Sequence, residues 1–205
     1  MKWLEWARLL QAISQTGLHY THSQYDKERY EQVGKIAKEI LTDYTSLSEN
    51  EILQLSASDF GYATPKVDVR GVVFKDSKIL LVKEMVDDGK WTLPGGWADV
   101  NESPSQAVTR EIFEESGFEC KVVKLLAVYD REKQGHTPPL PYHVYKIFFH
   151  CEIVGGEPRV NYETGGVGFF AEDEIPELSE ARTKKSQLIK FFEYYRHPDL
   201  PTDFD

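Results

Sequence analysis

Three glutamates, Glu111, Glu114 and Glu115, stand at i, i+3 and i+4, with Arg110 beside them and Glu102 a little upstream. In a helix, at about 100° per residue, the three carboxylates fall on one face within roughly a 100° arc. Like charges so placed repel by a few tenths of a kcal/mol per pair. A hard, oxygen-seeking cation such as Mg²⁺ or Mn²⁺ converts that repulsion into coordination, and Arg110 is placed to orient one of the carboxylates. A bare Glu-x-x-Glu-Glu is also what a solvated acidic helix face looks like, so the flanking residues decide.

Those flanks specify a helix and a loop. Ser103 is a good N-cap, Pro104 suits the first helical position, and Gln106 completes a capping box with Ser103. Gly117 suits a left-handed C-terminal cap. Leu93-Pro94-Gly95-Gly96 leads into the helix through a loop where backbone can approach a ligand closely. Between Gly96 and Glu102 lie five residues, and between Glu102 and Arg110-Glu111 seven; Ile112, Glu114-Glu115, Gly117 and Phe118 follow.

That pattern fills every fixed position of the Nudix box, and the chain resembles a Nudix hydrolase. The resemblance implies an α/β fold, an α/β/α sandwich around a mixed sheet. It implies metal-dependent hydrolysis of a nucleoside diphosphate linked to another group, X. It makes Glu111, Glu114 and Glu115 metal ligands together with the Gly96 backbone, and Arg110 the residue that holds the cluster in place. The general base stays open between Glu111, Glu163 and a metal-bound hydroxide.

Other candidates lie outside the box. Arg70 sits mid-strand, where a charge is unusual; it either reaches substrate phosphates or pairs with Asp68 or a box glutamate. Glu163 occupies the loop Asn161 to Gly165, from which several Nudix subfamilies take a ligand or base, although an exposed loop glutamate can equally be solvated. Asp130, Arg131 and Tyr145 mark a substrate-facing strand end; His136 and His143 nearby read as structural, and no His/Cys cluster has zinc spacing. Trp91 and Trp97 flank the box, where an indole stacks on a base, holds a cationic group, or simply packs.

Along the chain, residues 1–62 read as a small all-α domain. A helix runs from Trp3 to about Gln15 with Gly17 as its stop. A second opens after Ser23 with Asp26 as box partner, and a third opens at Ser48 with Glu51 three residues on. Three helices of this size bury little alone, so they are expected to dock or dimerise. Ala63-Thr64-Pro65 is the linker, and residues 66–205 form the hydrolase domain. Its expected strands lie at Val67–Phe74, Ile79–Lys83, Trp91–Leu93, Cys120–Tyr129, Tyr142–Val154 and up to Phe170, and its last helix at Thr183–Tyr195.

Composition narrows the function classes. The 205 residues are 40% hydrophobic and 28% charged, an ordinary soluble composition. The net charge of -10 opposes nonspecific binding to nucleic acid or anionic membrane, yet bound cations admit a polyanionic small molecule. Cys120 and Cys151 form no disulfide or metal pattern and fit reduced core thiols in a cytoplasmic protein. No run is long enough to span a bilayer.

The helical N-terminus starting Met1-Lys2-Trp3-Leu4, with Lys66 to Arg70, Val128 to Arg131 and Phe169 through Ser179, resembles one bacterial subfamily end to end. It includes CDP-choline pyrophosphatases with an N-terminal helical domain. The similarity implies cleavage of CDP-choline to CMP and phosphocholine, a homodimer, and a secondary 3′→5′ RNA exonuclease activity, ranked lower because the chain is acidic. An acidic or aromatic cradle from Asp130, Tyr145 or Trp97 would suit choline. The alternatives are an ADP-ribose or nucleotide-sugar pyrophosphatase, or a non-catalytic ligand sensor of the same fold; sensors usually lose box carboxylates, and here none is lost.

Overall fold

The computed structural model describes residues 2–45, 48, 50–52, 61–160 and 164–205. The chain divides into two compact units, one of Met1–Pro65 with Leu140–His143, the other of Lys66–Pro139 with Val144–Asp205.

The first unit is built on α1 (Lys2–Tyr20) and α2 (Gln24–Tyr44). Helix α1 does not stop at Gly17. The glycine lies inside it because an added Cβ would sit 2.4 Å from the Tyr30 ring of α2, so its job is close helix–helix contact. One turn earlier, buried Ser14 donates to the Tyr30 carbonyl at 2.7 Å, and a Cβ on Gly34 would strike Ser14 Oγ. Small residues thus let the two helices meet along one line. Ser23 caps α2 by accepting from Asp26 N–H at 3.3 Å. Asp26 does not close the box: its carboxylate takes Arg29 at 2.8 Å, and Ser23 N–H goes to Thr21 Oγ1. Leu4, Ala7, Leu41 and Ile52 form the buried centre, with Trp3 stacked on Tyr44. Ser48 and Glu51 make the reciprocal cap expected of a third helix, Glu51 N–H to Ser48 Oγ at 3.3 Å and Ser48 N–H to Glu51 at 2.8 Å. Beyond Ile52 that expected helix lies outside the described residues.

The second unit is a mixed sheet with a helix on each face. Strands β1 (Lys66–Lys75), β2 (Lys78–Glu84), β3 (Lys90–Thr92), α3 (Pro104–Ser116), β4 (Phe118–Asp130), β5 (Val144–Gly156), β6 (Thr164–Phe170), α4 (Lys185–Arg196) and β7 (Asp203–Phe204) follow in order. The sheet runs β3-β2-β1-β5-β4-β7, and β6 pairs with β2. β1 is parallel to β5, from Lys66 opposite Val144 to Val73 opposite Cys151; β1 and β2 form a tight hairpin over Asp76-Ser77, both at positive φ. Alternation splits the core. Val69, Val73 and Leu80 face α3 with Ala107, Val108 and Ile112, whereas Val72, Ile79 and Leu81 pack with Leu188, Phe191 and Phe192 of α4. Each valine, leucine, isoleucine and phenylalanine among them contributes about 1.5–3 kcal/mol on burial. Gly71 is where β1 comes closest to α3, since a Cβ there would be 2.4 Å from Ile112 Cδ1.

The expected strands appear within a few residues of their bounds. β5 starts at Val144, not Tyr142, and α4 starts at Lys185 because Thr183 is used elsewhere. The two-residue β7 carries too little pattern to be read from sequence. Cys120 and Cys151 are free thiols, and burial pushes them up to about 11 and about 12. Among the described residues no helix is long and apolar enough to cross a membrane.

Candidate active site

Helix α3 is fixed at both ends. Ser103 Oγ accepts from Gln106 N–H at 3.3 Å and Gln106 Oε1 from Ser103 N–H at 2.9 Å. At the other end Gly117, in the left-handed region at φ 80°, donates to the Phe113 carbonyl at 2.8 Å. Ala107, Val108 and Ile112 bury one face and leave the acids at its border. Glu115 is buried, Glu111 mostly so, and Glu114 points outward.

The loop ahead of α3 is zipped to β1. Gly71 N–H donates to Pro94 O, Val69 N–H to Gly96 O and Ala98 N–H to Val67 O, each at 2.8–3.0 Å. Gly95 sits at φ 140°, and a Cβ there would lie 2.1 Å from the Val69 carbonyl, so only glycine fits. Its N–H donates to Glu115 Oε2 at 2.8 Å. A Cβ on Gly96 would come within 2.9 Å of Glu111 Oε2, so the missing side chain is what leaves room over that carboxylate.

Arg110 gathers the remaining acids. It meets Glu102 at 3.0 Å, Glu111 and Glu114 at 2.9 Å each, and Asp99 at 3.5 Å. The hydrogen bonds to Glu102 lead in raising its pKa. Burial raises Glu111 against the pull of Arg110. Burial also pushes Glu115 up to about 8, against Arg70 and the Gly95 N–H, with Glu111 and Glu84 adding repulsion. Among the described residues no three acids, histidines or cysteines are already gathered about one metal-sized point. The donors nonetheless suit a hard divalent cation: all are carboxylate oxygens, two are buried against their own ionisation, and Gly96 opens a cradle beside Glu111. Glu111, Glu114 and Glu115 could hold it, with the Gly96 carbonyl offering the lone pair that Val69 does not use.

Arg70 takes the second of its two expected roles. It forms a bidentate pair with Asp68 at 2.9 and 2.7 Å and donates to Leu93 O at 3.1 Å, all buried. Lys146, fully buried on the neighbouring strand, donates to Asp68 at 2.6 Å. Burial alone would raise the Asp68 carboxyl, but Arg70 and Lys146 overcome it and hold it down at about 2. Burial lowers Lys146 to about 7 despite Asp68.

Trp97 pairs with Asp68 across the β1–loop bridge and is 43% exposed. Tyr145, equally exposed, lies opposite Asp130 and Val67 in the adjacent row. By alternation, Trp97 and Tyr145 therefore belong to opposite faces of the sheet, so the structure brings Tyr145 and Asp130 together and leaves Trp97 with Asp68. Arg131 is buried, its guanidinium on the carbonyls of Pro138 at 2.7 Å and Ala181 at 3.4 Å and on Glu132 at 3.0 Å. His136 is structural: Nδ1 meets Glu180 O at 2.9 Å, Nε2 meets Gln187 at 3.1 Å, and burial lowers it to about 3. Trp91 packs edge-on against Phe170. Glu163 lies outside the described residues.

Sequence reasoning missed Lys146, Glu84 and Arg182. Lys146 interrupts the inward row Val144, Lys146, Phe148, and Glu84 ends the row Leu80, Val82, Glu84; a charge in an apolar row was the available signal.

A family model described as the NUDIX domain matches residues 64–192. The chain belongs to the Nudix family. A second family model, described as UDP-X-like, N-terminal oligomerisation domain, matches residues 1–55. The fold and family read from the Nudix box therefore hold, N-terminal helices included. The chain is 45% identical over 204 residues to the Bacillus subtilis (strain 168) protein named "Putative ADP-ribose pyrophosphatase YjhB", covering 100% of this chain and 97% of that protein. It is 37% identical over 123 residues to the ADP-ribose pyrophosphatase of Methanocaldococcus jannaschii, covering 58% of this chain and 69% of that one. Among solved structures, a UDP-X diphosphatase is similar over 100% of this chain and 98% of its own, at 33% identity and TM-score 0.65. An ADP-ribose pyrophosphatase from Streptococcus suis 89-1591 is similar over 69% of this chain and 100% of its own, at 39% identity and TM-score 0.62.

Proposed function

We propose that this Nudix enzyme is a metal-dependent pyrophosphatase that hydrolyses a nucleoside diphosphate linked to X, with CDP-choline as the first substrate and CMP and phosphocholine as products. The observation that carries the pyrophosphatase reading is the α3 acid face against the Gly95–Gly96 loop: buried Glu115 bonded to the loop, and Glu111 beneath Gly96, where a Cβ would come within 2.9 Å of its Oε2. Choline is supported by the end-to-end subfamily resemblance and by the exposed Tyr145 beside Asp130, an aromatic–acid pair suited to a quaternary ammonium. The names of the relatives favour ADP-ribose as the second reading. RNA ranks below both on the net charge of -10, and the intact set of box carboxylates argues against a ligand sensor.

When bound, Mg²⁺ (or Mn²⁺) supplies charge neutralisation at the diphosphate oxygens and acidifies water. Glu111, Glu114, Glu115 and the Gly96 carbonyl would hold it. Arg110 keeps Glu111 and Glu114 oriented by its two 2.9 Å bonds. A water oxygen adds to one phosphorus as the bridging P–O bond breaks, and its proton passes to a carboxylate, that of Glu111 or Glu163. Arg70 serves through Asp68 and Leu93, fixing the strand that enters the loop. Arg131 supports the Asp130 end from within.

Residues 1–62 serve as the dimerisation domain and 66–205 as the hydrolase domain of a homodimer, kept in a reducing compartment such as the cytoplasm that suits the two free thiols. Trp6, Leu9, Ile13 and Tyr20 of α1 are all exposed and fall within about a 60° arc of the helix, an apolar stripe fit for a second copy. The description of the family matched by residues 1–55 supports this reading.

The test is a substrate panel with and without Mg²⁺, run in ¹⁸O water with mass analysis of the products. Turnover of CDP-choline above ADP-ribose and UDP-sugars supports choline. Faster turnover of ADP-ribose replaces it with the second reading. Absence of metal-dependent hydrolysis of all of them refutes the pyrophosphatase.

A further inference from the structure

The two arginines that act on the α3 carboxylates are spent. Arg110 is divided among four carboxylates, and Arg70 is saturated by Asp68 and the Leu93 carbonyl. Arg182 is not. Its Nε lies 3.1 Å from Glu84 and its Nη1 only 3.9 Å from Asp87. Its side chain keeps 30% exposure, and its Nη2 makes no hydrogen bond among the described residues.

Glu84 brings this arginine to the site. Leu80 packs in the α3-side core and Glu84 lies four residues on along β2, on the same side by alternation, so the carboxylate takes the place an aliphatic residue would fill. Opposite it in register is Thr164, whose hydroxyl donates to the Glu115 carbonyl at 2.9 Å. Glu84 is near enough to Glu115 for its charge to repel that carboxylate. The backbone under Arg182 is rigid. Ser179 N–H donates to Trp91 O, Arg182 N–H to Ser179 O, and Thr183 Oγ1 accepts from Leu93 N–H at 3.1 Å. Leu93 is thus held on its N–H by Thr183 and on its carbonyl by Arg70, directly ahead of the Gly95–Gly96 loop.

A guanidinium with a preset anchor, a fixed backbone and free N–H groups at the border of an acid cluster fits one class of ligand, a phosphate oxyanion. We propose that Arg182 binds the substrate's diphosphate and that Glu84 is the positioning residue that aims it. This rests on the pyrophosphatase reading for the identity of the substrate, but not for the contact itself.

Two measurements test it. Steady-state kinetics at saturating Mg²⁺ on the best substrate of the panel should show KM for Arg182→Gln raised about 10- to 100-fold, with kcat within about threefold. Arg182→Lys keeps the charge but loses the fork and should fall between; Glu84→Gln should raise KM in the same direction by less. Calorimetric binding of α,β-methylene-ADP, a diphosphate the enzyme cannot split, should weaken by the same factor in Arg182→Gln, while adenosine binding stays unchanged. If Arg182→Gln unfolds, the lysine and Glu84 variants carry the test. KM and α,β-methylene-ADP affinity within twofold of the wild type in the folded variants overturn the proposal. A wild type that hydrolyses nothing overturns the pyrophosphatase reading instead, and the α,β-methylene-ADP measurement still decides on Arg182.

Discussion

Replacing Asp68 by Asn should be among the most damaging single changes in the hydrolase unit, although the residue lies outside the Nudix box. Asp68 accepts Arg70 at 2.9 and 2.7 Å and Lys146 at 2.6 Å, and it is 5% exposed. Without its charge, Lys146 loses the partner that holds its proton against burial and goes neutral, and Arg70 is left an unpaired cation in a site closed to water. Breaking a buried pair by removing one partner costs about 3–5 kcal/mol. At about 2–4 °C per kcal/mol for a chain of this size, the midpoint should drop by about 6–20 °C. The network has a built-in control. Lys146→Met removes the more heavily desolvated cation and leaves the bidentate Arg70–Asp68 pair intact, so it should be within about 1 kcal/mol of wild type or above it. Asp68→Asn combined with Lys146→Met should recover about half of the loss. The pH dependence has a definite sign. Lys146 is lowered to about 7 from 10.5, so its contribution is fully present above the unfolded value and is lost as pH falls through about 7. The advantage of Lys146→Met over wild type should therefore narrow as pH rises from 7 towards 10. Thermal unfolding by circular dichroism of the four proteins at pH 7 and pH 10 is the assay. A midpoint for Asp68→Asn within 3 °C of wild type, or a double variant no better than Asp68→Asn, would refute the reasoning.

Other outcomes follow from the same geometry. Glu115→Gln should cut turnover at least about 100-fold by removing a metal donor, and a variant retaining nearly full kcat contradicts the assignment. In metal-free protein Glu115 has a folded pKa raised to about 8 from 4.5, so its contribution is fully present below 4.5 and lost as pH rises through 8. Midpoints of the chelator-treated wild type should fall between pH 5 and pH 8.5, those of Glu115→Gln should fall less, and Mg²⁺ should restore only the wild type. At 100 times its Kd the metal adds about 2.7 kcal/mol, which differential scanning fluorimetry resolves. Gly95→Ala should disrupt the loop, since its Cβ would lie 2.1 Å from the Val69 carbonyl; wild-type activity in that variant would show that the loop tolerates displacement. If the α1 stripe joins two copies as proposed, Trp6→Glu with Leu9→Glu should reduce the mass seen by sedimentation from two chains to one, and an unchanged mass would exclude the stripe as the interface.

How much of this was legible in the sequence depended on whether the signal was local. The α3 caps are set by residues three or four apart, and Ser103, Gln106 and Gly117 do what their types suggest. The strands expected at Val67–Phe74 and Ile79–Lys83, on either side of the Asp76-Ser77 hairpin, were readable for the same reason. Gly17 was misread because a glycine inside a helix looks like a stop until Tyr30, thirteen residues on, is seen to fill the space. The acid face of the site was legible because all its members sit on one helix. Its supports were legible only in part. The Arg70–Asp68 pair, two residues apart on one strand, was one of two readings open to the sequence, but Lys146 and Leu93 join it only through the parallel pairing of β1 with β5 and the strand-like run of the loop along β1, and parallel neighbours are far apart in sequence. Arg131 drew attention by type and turned out to hold carbonyls, whereas Glu84 and Arg182 drew none, one reading as the polar end of a strand and the other as a loop cation. Charge alone did not separate these cases. What separates them is the number of partners each guanidinium already has, and that number exists only in three dimensions: the arginine with donors to spare is the one placed to meet a substrate.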